Sequence, residues 1–368
     1  MSKSVLIGMS GGVDSSVAAA LLVKTGYRVI GGFIKNWSDT KDIWSGECRW
    51  KGDRRDAIRV AAKLDIPLLT FDFEEAYRKH VIDPMFRAYQ KGSTPNPDVL
   101  CNQEIKFGLF FHEARRLKID YIATGHYARV RTDRDGIAHL LRGRDPDKDQ
   151  SYFLHRVQQK ALARTLFPVG ALKKPDVRKI ARSLGLATAE KKESMGICFI
   201  GKQDMKDFLR TRIPSRPGSV TDPNGLVIGA HDGLDGVTIG QRHGFQAKGG
   251  PWYAAAKDPV SNCLVVVPNR EHPLLYVRNA RIGDPHWVTG RAPASDRGIS
   301  CAVRYRQKDV PVTIDLRAKK MDIQFQKPVF AVAPGQSAVF YKGQECLGGG
   351  IIERTSPEAG GKDVGRGA

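Results

Sequence analysis

Apolar and polar positions alternate in two different ways along the chain. In the first 125 residues, short unbroken apolar runs typical of buried strands alternate with stretches of helical spacing. The apolar runs are 4–9, 27–34, 68–73 and 121–124, and the helical stretches are 13–24, 54–64, 77–89 and 106–117. This alternation predicts an α/β fold built on a doubly wound parallel sheet, with ligands at the carboxyl ends of its strands.

From about Pro214 onward, prolines and glycines separate short β-type runs, and helical spacing nearly disappears. The runs are 260–267, 275–282, 300–305, 310–316, 321–325 and 337–341. Several short strands at this spacing predict a small central β-rich domain followed by a C-terminal antiparallel β-barrel. We therefore divide the chain into domains at 1–205, 206–280 and 281–356, with a disordered tail over 357–368.

Composition favours a nucleic-acid partner. The formal net charge is +20 and the sequence pI is about 9.8, a balance that attracts polyanions such as RNA. No stretch reaches the roughly 18 apolar residues of a membrane span, and the N-terminus lacks the pattern of an export signal, so we expect a cytoplasmic protein. The six cysteines are scattered without a CxxC pair or a Cys/His cluster, which weakens both a zinc site and a disulfide scaffold.

A glycine- and serine-rich loop separates the first predicted strand from the first helix. It reads Gly8-Met9-Ser10-Gly11-Gly12-Val13-Asp14-Ser15-Ser16. Glycines let a backbone approach an anion, and the helix N-terminus supplies unpaired N–H groups, while Asp14 is placed to cap the helix. The lysine of a Walker A loop and the GxGxxG pattern are both absent. The remaining pattern, SGGxDS, resembles the PP-loop of ATP pyrophosphatases, which cleave ATP between the α- and β-phosphates.

Two of the cysteines have distinctive neighbours. Cys101 follows the proline-rich loop 94–98 and stands at the predicted start of a helix near Lys106, a setting that lowers the pKa of a thiol. Cys198 lies in an apolar segment bracketed by glycines and preceded by Lys191 and Lys192, whose charges could support a thiolate or persulfide anion. Taken singly, each cysteine is better explained as a buried, inert thiol.

The combination of motifs changes that balance. The chain carries the PP-loop, TPNPDVLCN at 94–102 and GICFIG at 196–201, and in this combination it resembles the tRNA-specific 2-thiouridylases of bacteria and mitochondria. Matching segments extend nearly to Glu353, at 33–37, 123–127, 148–153, 166–170, 239–242 and 334–340. Glu193 replaces the usual aspartate before SxGICFIG, and 39–53 around Cys48 matches loosely, which leaves a role for Cys48 open.

The resemblance implies ATP-dependent 2-thiolation of the wobble uridine, position 34, in the tRNAs for lysine, glutamate and glutamine. ATP, with Mg²⁺ as its counter-ion, would form an adenylate at the C2 oxygen and release pyrophosphate; sulfur would then displace AMP. Cys198 would carry a persulfide received from a cysteine desulfurase or a sulfur-relay protein. Cys101 would be the catalytic nucleophile, attacking either the activated base or the persulfide, and a transient Cys101–Cys198 disulfide would follow.

The same resemblance implies three sets of contacts. ATP would be bound by Gly8, Met9, Ser10, Gly11, Gly12, Val13, Asp14, Ser15, Ile34 and Gly125. The target base would lie beside Asn96, Pro97 and Asp98, with Asp98 as a catalytic proton acceptor. The tRNA would contact Lys148, Asp149, Gln150, Arg304 and Tyr305.

Simpler roles remain as alternatives for several of these residues. Asp98 could be a turn residue, and Ile34 could be strand core. We expect the run Arg304-Tyr305-Arg306 to lie on a strand with both arginines on one side, where they would bind phosphate or form a solvated barrel face. For His126, a hydrogen-bonded position at a strand end is favoured over catalysis.

Two other functions remain in competition. A different PP-loop ligase or amidating enzyme would need no cysteine pair, and a basic RNA-binding protein with a vestigial loop would release no pyrophosphate. A 4-thiouridine synthetase is disfavoured, since we expect it to carry further RNA-binding domains before its PP-loop, which here begins at residue 8.

Overall fold

The N-terminal part of the chain folds around a parallel sheet. The chain is described by a computed structural model that covers residues 2–38, 49–192, 205–315 and 321–357. In the N-terminal part, five strands form this sheet. The strands are β1 (Ser4–Gly8), β2 (Arg28–Lys35), β3 (Leu68–Asp72), β4 (Tyr121–Ala123) and β7 (Thr165–Leu166). Their order is β3-β2-β1-β4-β7, and every neighbouring pair is parallel. The predicted doubly wound parallel sheet is confirmed.

Helices connect and cover these strands. They are α1 (Val13–Lys24), α2 (Arg49–Lys63), α3 (Glu74–Tyr77), α4 (Asp83–Gln90), α5 (Pro97–Leu100), α6 (Phe110–Arg116), α7 (Ser151–Leu154), α8 (Gln159–Leu162) and α9 (Lys174–Ser183). Wider π-type turns continue α3 into α4 over Arg78–Ile82 and α5 into α6 over Cys101–Leu109. The helix predicted for 106–117 therefore begins at Pro97, because proline suits the first helical position, and Cys101 lies one turn inside it.

The central strand β1 is buried on both faces. Val5 and Ile7 pack with Val17 of α1 on one side, whereas Leu6 packs with Phe110 of α6 on the other. Successive residues of a strand point to opposite faces, and a strand covered on both sides is apolar throughout. This packing fixes β1 rigidly, so the loop at its carboxyl end starts from a firm support.

A small β-rich domain follows. It contains α10 (Met205–Arg210) and the strands β8 (Gly218–Thr221), β9 (Val227–His231), β10 (Phe245–Ala247), β11 (Tyr253–Asp258) and β12 (Cys263–Val267). The sheet order is β10-β9-β8-β12-β11, with β8 and β12 parallel and the other neighbours antiparallel. The predicted central β-rich domain is confirmed.

The C-terminal strands close into a barrel. They are β13 (Tyr276–Trp287), β14 (Ser300–Ala302), β15 (Val310–Ile314), β16 (Met321–Phe330), β17 (Ser337–Lys342) and β18 (Glu345–Pro357). The antiparallel order β13-β16-β15-β14-β17-β18 is closed by pairing of β13 with β18, so the predicted barrel is confirmed. β13 spans the boundary that we set at 280, and residues 358–368 of the predicted tail lie outside the described part of the chain.

One predicted strand is shorter than expected. β14 ends at Ala302, and Arg304, Tyr305 and Arg306 lie in the turn that follows. Arg306 has a φ of +62°, a left-handed conformation that does not occur within a regular strand. The expectation that Arg304 and Arg306 share one face of a strand is therefore wrong.

A hairpin from the N-terminal domain extends the barrel sheet, which the sequence analysis missed. Its strands are β5 (Ala128–Thr132) and β6 (Ala138–Arg142). β6 pairs with β18 through Leu141 opposite Glu345 and Leu140 opposite Cys346. The N-terminal domain and the barrel are thus joined by backbone hydrogen bonds. Among the described residues, no helix is both long and apolar enough to cross a membrane.

Candidate active site

The glycine- and serine-rich loop lies at the carboxyl edge of the parallel sheet. β1 ends at Gly8, and the chain then turns into α1, whose N-cap is Gly12. β1 pairs with β2 on one side and β4 on the other, so the strand order reverses here. Such a switch point is where doubly wound folds bind their ligands.

Two glycines let other backbone segments approach the loop closely. Gly11 has a φ of +70°, and a Cβ there would overlap the carbonyl oxygen of Asp53 in α2. Gly125 follows β4, and a Cβ there would lie 2.6 Å from the amide nitrogen of Ser15. Neither position can carry a side chain without a backbone shift. The segment after β4 therefore packs directly on the first turn of α1.

Serine hydroxyls brace the loop from within. Ser15 Oγ donates to the carbonyl oxygen of Gly12 at 3.1 Å, and Ser16 Oγ donates to the same atom at 2.8 Å. The amide of Ser10 donates to Ser15 Oγ at 3.2 Å. The loop thus has a defined shape, and the first N–H groups of α1 have no partner within the helix, as an anion site requires.

Asp14 has a different role from the predicted one. No side chain caps α1 at Gly12, so the expectation that Asp14 caps the helix is wrong. Its carboxylate accepts hydrogen bonds from Lys174 Nζ, at 2.6 and 2.8 Å, and from the hydroxyl of Tyr127 at 2.8 Å. Because the Lys174 side chain is only 11% exposed, this ion pair keeps a charged carboxylate compatible with an anion site.

Lys191 contacts both the loop and α2. Its Nζ donates to the carbonyl oxygen of Gly11 at 3.0 Å, to Asp53 at 2.8 Å and to Asp56 at 2.5 Å. Burial lowers the pKa of Lys191, but the bonds to the two carboxylates outweigh it and raise that pKa. Among the described residues the partners of Lys191 are thus two carboxylates and a carbonyl oxygen. Its support of a sulfur anion at Cys198 stays a prediction. Cys198 itself, like Cys48, lies outside the described residues.

The Cys101 thiol is buried, with 1% exposure, in an apolar cluster that includes Trp37 and Tyr77. Burial raises the pKa of Cys101; Lys106 lowers it in part, Asp98 raises it further, and a hydrogen bond with Tyr77 lowers it. The expected lowering of this pKa is therefore wrong, because the burial effect exceeds that of the nearby cation.

Lys106 connects the thiol with the nucleotide segment. Its charge acts on Cys101 and also, together with burial, lowers the pKa of His126 well below its usual value. His126 Nδ1 lies 2.8 Å from Thr124 Oγ1, so the hydrogen bond expected for this histidine near the end of a strand is present. Ile34, at the end of β2, packs against the Cys101 cluster. Cys101 and Ile34, one of the predicted nucleotide contacts, thus pack in the same cluster.

The loop before Cys101 is held by all three domains. From the barrel, Gln336 Nε2 donates to the carbonyl oxygen of Thr94 at 2.7 Å, and the Thr94 amide donates to Pro334 at 2.9 Å. From the central domain, Lys257 Nζ donates to the carbonyl oxygen of Gly92 at 3.3 Å. This loop leads into Asn96, Pro97 and Asp98, of which Asn96 is the N-cap of α5. The predicted target-base residues therefore sit where the domains meet.

Family profiles match three consecutive parts of the chain. They are described as "tRNA methyl transferase HUP domain" over 3–202, "tRNA methyl transferase PRC-barrel domain" over 206–268 and "Aminomethyltransferase beta-barrel domain" over 277–352. Over 355 residues the chain is 46% identical to the tRNA-specific 2-thiouridylase MnmA of Lacticaseibacillus paracasei, covering 95% of this chain and 94% of the relative. Over 360 residues it is 48% identical to the Shewanella amazonensis protein of the same name, covering 96% and 95%.

The chain belongs to the tRNA-specific 2-thiouridylase family. Among solved structures it is distantly similar to a 4-thiouridine synthetase–RNA complex with bound ATP, at 12% identity and a TM-score of 0.35, covering 58% of this chain and 50% of that one. It is also similar to NMN synthetase from Francisella tularensis, at 18% identity and a TM-score of 0.34, covering 56% and 72%.

In this 2-thiouridylase family member, the residues predicted to contact tRNA also make internal bonds. Asp149 accepts hydrogen bonds from the amides of Gly143, at 2.9 Å, and Ser151, at 3.1 Å. Arg304 donates to the carbonyl oxygens of Ile239 and Ala331, at 2.7 and 2.8 Å. Both residues thus support the fold around them, whatever else they bind.

Asp149, Arg304 and Tyr305 nevertheless come together. They line one pocket of about 230 Å³ between the N-terminal domain and the barrel. Further cationic side chains line the same pocket: Arg142, Arg306 and Lys308. Asp309 also lines the pocket, and Arg142 pairs with both Asp149 and Asp309. The four cations exceed the two carboxylates, and a net positive pocket suits a phosphate or a polar nucleotide edge. Gln150 is placed differently, since it brackets Tyr127 by two hydrogen bonds.

Sequence reasoning missed Lys174 and Gln336. Both lie in or next to segments that matched the family, but a single lysine at the start of a helix and an amide in a turn carry no local signal of a long-range contact. Of metal ligands, no group of three or more His, Cys, Asp or Glu side chains is found within the ranges that the structure covers.

Proposed function

We propose that this 2-thiouridylase family member catalyses ATP-dependent 2-thiolation of the wobble uridine, position 34, in the tRNAs for lysine, glutamate and glutamine. The observation that carries the proposal is that Ile34, a predicted ATP contact at the carboxyl end of β2, packs in the same buried cluster as Cys101. A PP-loop by itself supports any ATP pyrophosphatase. A cysteine beside it supports chemistry in which sulfur reacts with a nucleotide-activated group.

In the first step, the C2 oxygen of uridine attacks the α-phosphate of ATP, and pyrophosphate leaves. The first turn of α1 supports this step, because its N–H groups and partial positive charge stabilise the leaving phosphates. The ion pair of Asp14 with Lys174 keeps the negative charge of the loop low. ATP is thus the co-substrate, and magnesium would screen the phosphate charge.

In the second step, sulfur replaces the activated oxygen. In one order, Cys101 attacks the inner sulfur of a Cys198 persulfide; hydrosulfide leaves, attacks C2 and displaces AMP. In the other order, Cys101 attacks C2 of the activated base and displaces AMP; the outer sulfur of the Cys198 persulfide then displaces the Cys101 thiolate from C2. That thiolate attacks the inner sulfur on Cys198, which releases 2-thiouridine. Both orders leave a Cys101–Cys198 disulfide, which an external thiol must reduce before the next turnover. The persulfide sulfur comes from a donor such as a cysteine desulfurase or a relay protein.

The buried state of Cys101 sets a requirement for this step. A thiol with a raised pKa is mostly protonated near neutral pH. Asp98, which acts electrostatically on the thiol from one helical turn away, is the proposed proton acceptor. We infer that tRNA engagement changes the surroundings of the thiol, since the target base must be unstacked and brought beside Asn96, Pro97 and Asp98.

Contact with tRNA is supported by charge and by the basic pocket. The net charge of +20 favours a polyanion. The pocket that contains Asp149, Arg304 and Tyr305 is the proposed contact for the anticodon region, with Lys148 and Gln150 on the adjoining segment. If the protein were a PP-loop ligase, its chemistry would not need the two cysteines. If it were a non-catalytic RNA-binding protein, its loop would not need the Asp14–Lys174 ion pair.

The test is sulfur incorporation into unmodified glutamate tRNA. Wild type, Cys101→Ser, Cys198→Ser and the control Cys263→Ser are supplied with ATP, magnesium and a cysteine desulfurase with labelled cysteine. We expect labelled 2-thiouridine from wild type and the control, and none from the other two variants. Pyrophosphate release without labelled tRNA would refute thiolation and favour a ligase. Neither product would favour a non-catalytic RNA-binding protein.

A further inference from the structure

A chain of hydrogen bonds joins the nucleotide loop to the segment 148–150. Tyr127 lies in the middle of it, 2% exposed, two residues beyond Gly125. Its hydroxyl donates to Asp14 Oδ1 at 2.8 Å. Its amide donates to Gln150 Oε1 at 3.0 Å, and its carbonyl oxygen accepts from the Gln150 amide at 2.9 Å. One residue thus contacts both the loop and the segment.

The ends of this chain are firmly seated. At the loop, the Asp14 carboxylate also bonds Lys174, whose ammonium lies 5.7 Å from the centre of the Tyr127 ring. Lys174 is held in turn by Asp145, whose carboxylate accepts a hydrogen bond from the Lys174 backbone amide at 2.8 Å. At the other end, the Asp149 carboxylate accepts hydrogen bonds from the amides of Gly143 and Ser151, which flank the segment 148–150. A displacement of residues 148–150 therefore moves Tyr127 and cannot be absorbed by loose side chains.

The close packing at Gly125 adds a steric connection. No side chain fits between Gly125 and the first turn of α1, because a Cβ there would lie 2.7 Å from the carbonyl carbon of Asp14. The segment that carries Tyr127 is thus in backbone contact with the residues that follow the glycine loop. Movement of this segment changes the orientation of the Asp14 carboxylate and of the α1 amides together.

We propose that Tyr127 is a positioning residue that couples tRNA engagement at 148–150 to the nucleotide loop by holding the Asp14 carboxylate. The inference rests on the proposed function, because it assumes tRNA at one end of the chain and ATP at the other. Tyr127 touches neither substrate in this role. Its hydroxyl sets the orientation of the Asp14 carboxylate, and its backbone moves with Gln150 because two hydrogen bonds join them.

The test measures a coupling factor, not activity alone. The affinity for α,β-methylene-ATP, which cannot be cleaved between those phosphates, is measured with and without saturating unmodified tRNA. For wild type we expect tRNA to change this affinity by at least about fivefold, the lower end of ordinary coupling. Tyr127→Phe should reduce the factor to near one, with little change in the affinity for tRNA alone.

Matched variants make the result specific. Tyr121→Phe removes a hydroxyl that bonds Lys3 at the opposite edge of the sheet and should keep the wild-type coupling factor. Gln150→Ala acts from the other end of the chain and should reduce the factor as Tyr127→Phe does; it decides the matter if Tyr127→Phe fails to fold. By linkage, the nucleotide analogue must change the tRNA affinity by the same factor.

Failure of the inference is distinguishable from failure of the proposed function. If wild type forms 2-thiouridine but shows no coupling, or if Tyr127→Phe and Gln150→Ala keep the wild-type factor, Tyr127 is not a positioning residue. If wild type forms no 2-thiouridine, the proposed function falls first. Loss of coupling in both variants, with thiolation by wild type and normal coupling in Tyr121→Phe, supports the inference.

Discussion

The ammonium of Lys191 lies 3.0 Å from the carbonyl oxygen of Gly11. The polypeptide segment that leads toward Cys198 is therefore hydrogen-bonded to the nucleotide loop seven residues before that cysteine. The same ammonium also pairs with Asp53 and Asp56 of α2, so the two carboxylates next to the loop share one cation, and Asp56 has Arg59 as a second partner at 3.6 Å. This arrangement links the electrostatics of the ATP site to the start of the segment that would carry the persulfide.

Lys191→Met should weaken ATP binding about tenfold. The substitution leaves Asp53 and Asp56 without their shared cation beside a triphosphate site, a loss on the order of 1–2 kcal/mol. Calorimetric titration with α,β-methylene-ATP measures it. Lys192→Met is the control, because Lys192 is exposed and should bind as wild type does. Equal affinities for the two variants would contradict the electrostatic role of Lys191.

Gly125→Ala should abolish measurable binding of the same analogue. The added methyl group would lie 2.6 Å from the Ser15 amide nitrogen, and this neighbour is backbone at the start of α1, which cannot give way without deforming the loop. Gly52→Ala, in α2, adds the same group where no atom lies within 4 Å and serves as the control. Wild-type affinity in Gly125→Ala would show that the segment after β4 does not line the ATP site.

The fold could be predicted from sequence wherever one local period dominated. The buried run that became β1 (Ser4–Gly8) and the helical spacing that became α1 (Val13–Lys24) are examples, because burial on both faces leaves a continuous apolar strand. The hairpin β5–β6 was missed, since its two short strands are stabilised by pairing with β18 some 200 residues later. Non-local pairing of this kind leaves little trace in a local pattern.

The site was predictable in its residues but less so in its electrostatics. SGGVDSS lies at the predicted edge of the sheet, and Ile34, another predicted ATP contact, packs in the same buried cluster as Cys101. The direction of the Cys101 pKa shift was wrong, because burial depends on Trp37 and Tyr77, which pack against the thiol from distant parts of the chain. Asp14 was assigned to a cap for a similar reason: its partner Lys174 is 160 residues away.

Gln336→Ala should lower the rate of thiolation while leaving ATP affinity unchanged. The side chain donates to the carbonyl oxygen of Thr94 and so fixes the loop that leads to Asn96, Pro97 and Asp98. Loss of this bond lets the loop sample other positions, and misplacement by about 1 Å can cost on the order of a hundredfold in rate. Single-turnover thiolation and analogue binding measure the two effects.

Gln344→Ala is the control for that variant. Gln344 lies in the turn after β17, where its side chain accepts a long bond of 3.4 Å from Arg129. It should thiolate tRNA as wild type does. A Gln336→Ala enzyme with the wild-type single-turnover rate would mean that the barrel does not position the loop.

Alkylation of Cys101 by iodoacetamide should be slow at neutral pH and should still be accelerating above about pH 8.5, the usual pKa of a thiol. Burial raises the pKa of Cys101 above its usual value, and only the thiolate reacts. Since the neutral form is favoured in the folded state, the thiolate fraction grows as pH rises toward this higher pKa. Mass spectrometry of the peptide containing Cys101 measures the rate at each pH.

Lys106→Met separates the pKa effect from simple inaccessibility. Lys106 lowers the pKa of Cys101, so its removal should shift the alkylation profile to still higher pH. Lys118→Met, at the end of α6, removes a lysine that is exposed and should leave the profile in place. If burial acted only by blocking the reagent, both variants would alkylate slowly with the wild-type pH dependence. A shift in Lys106→Met alone would mean that the charge near the thiol controls its reactivity.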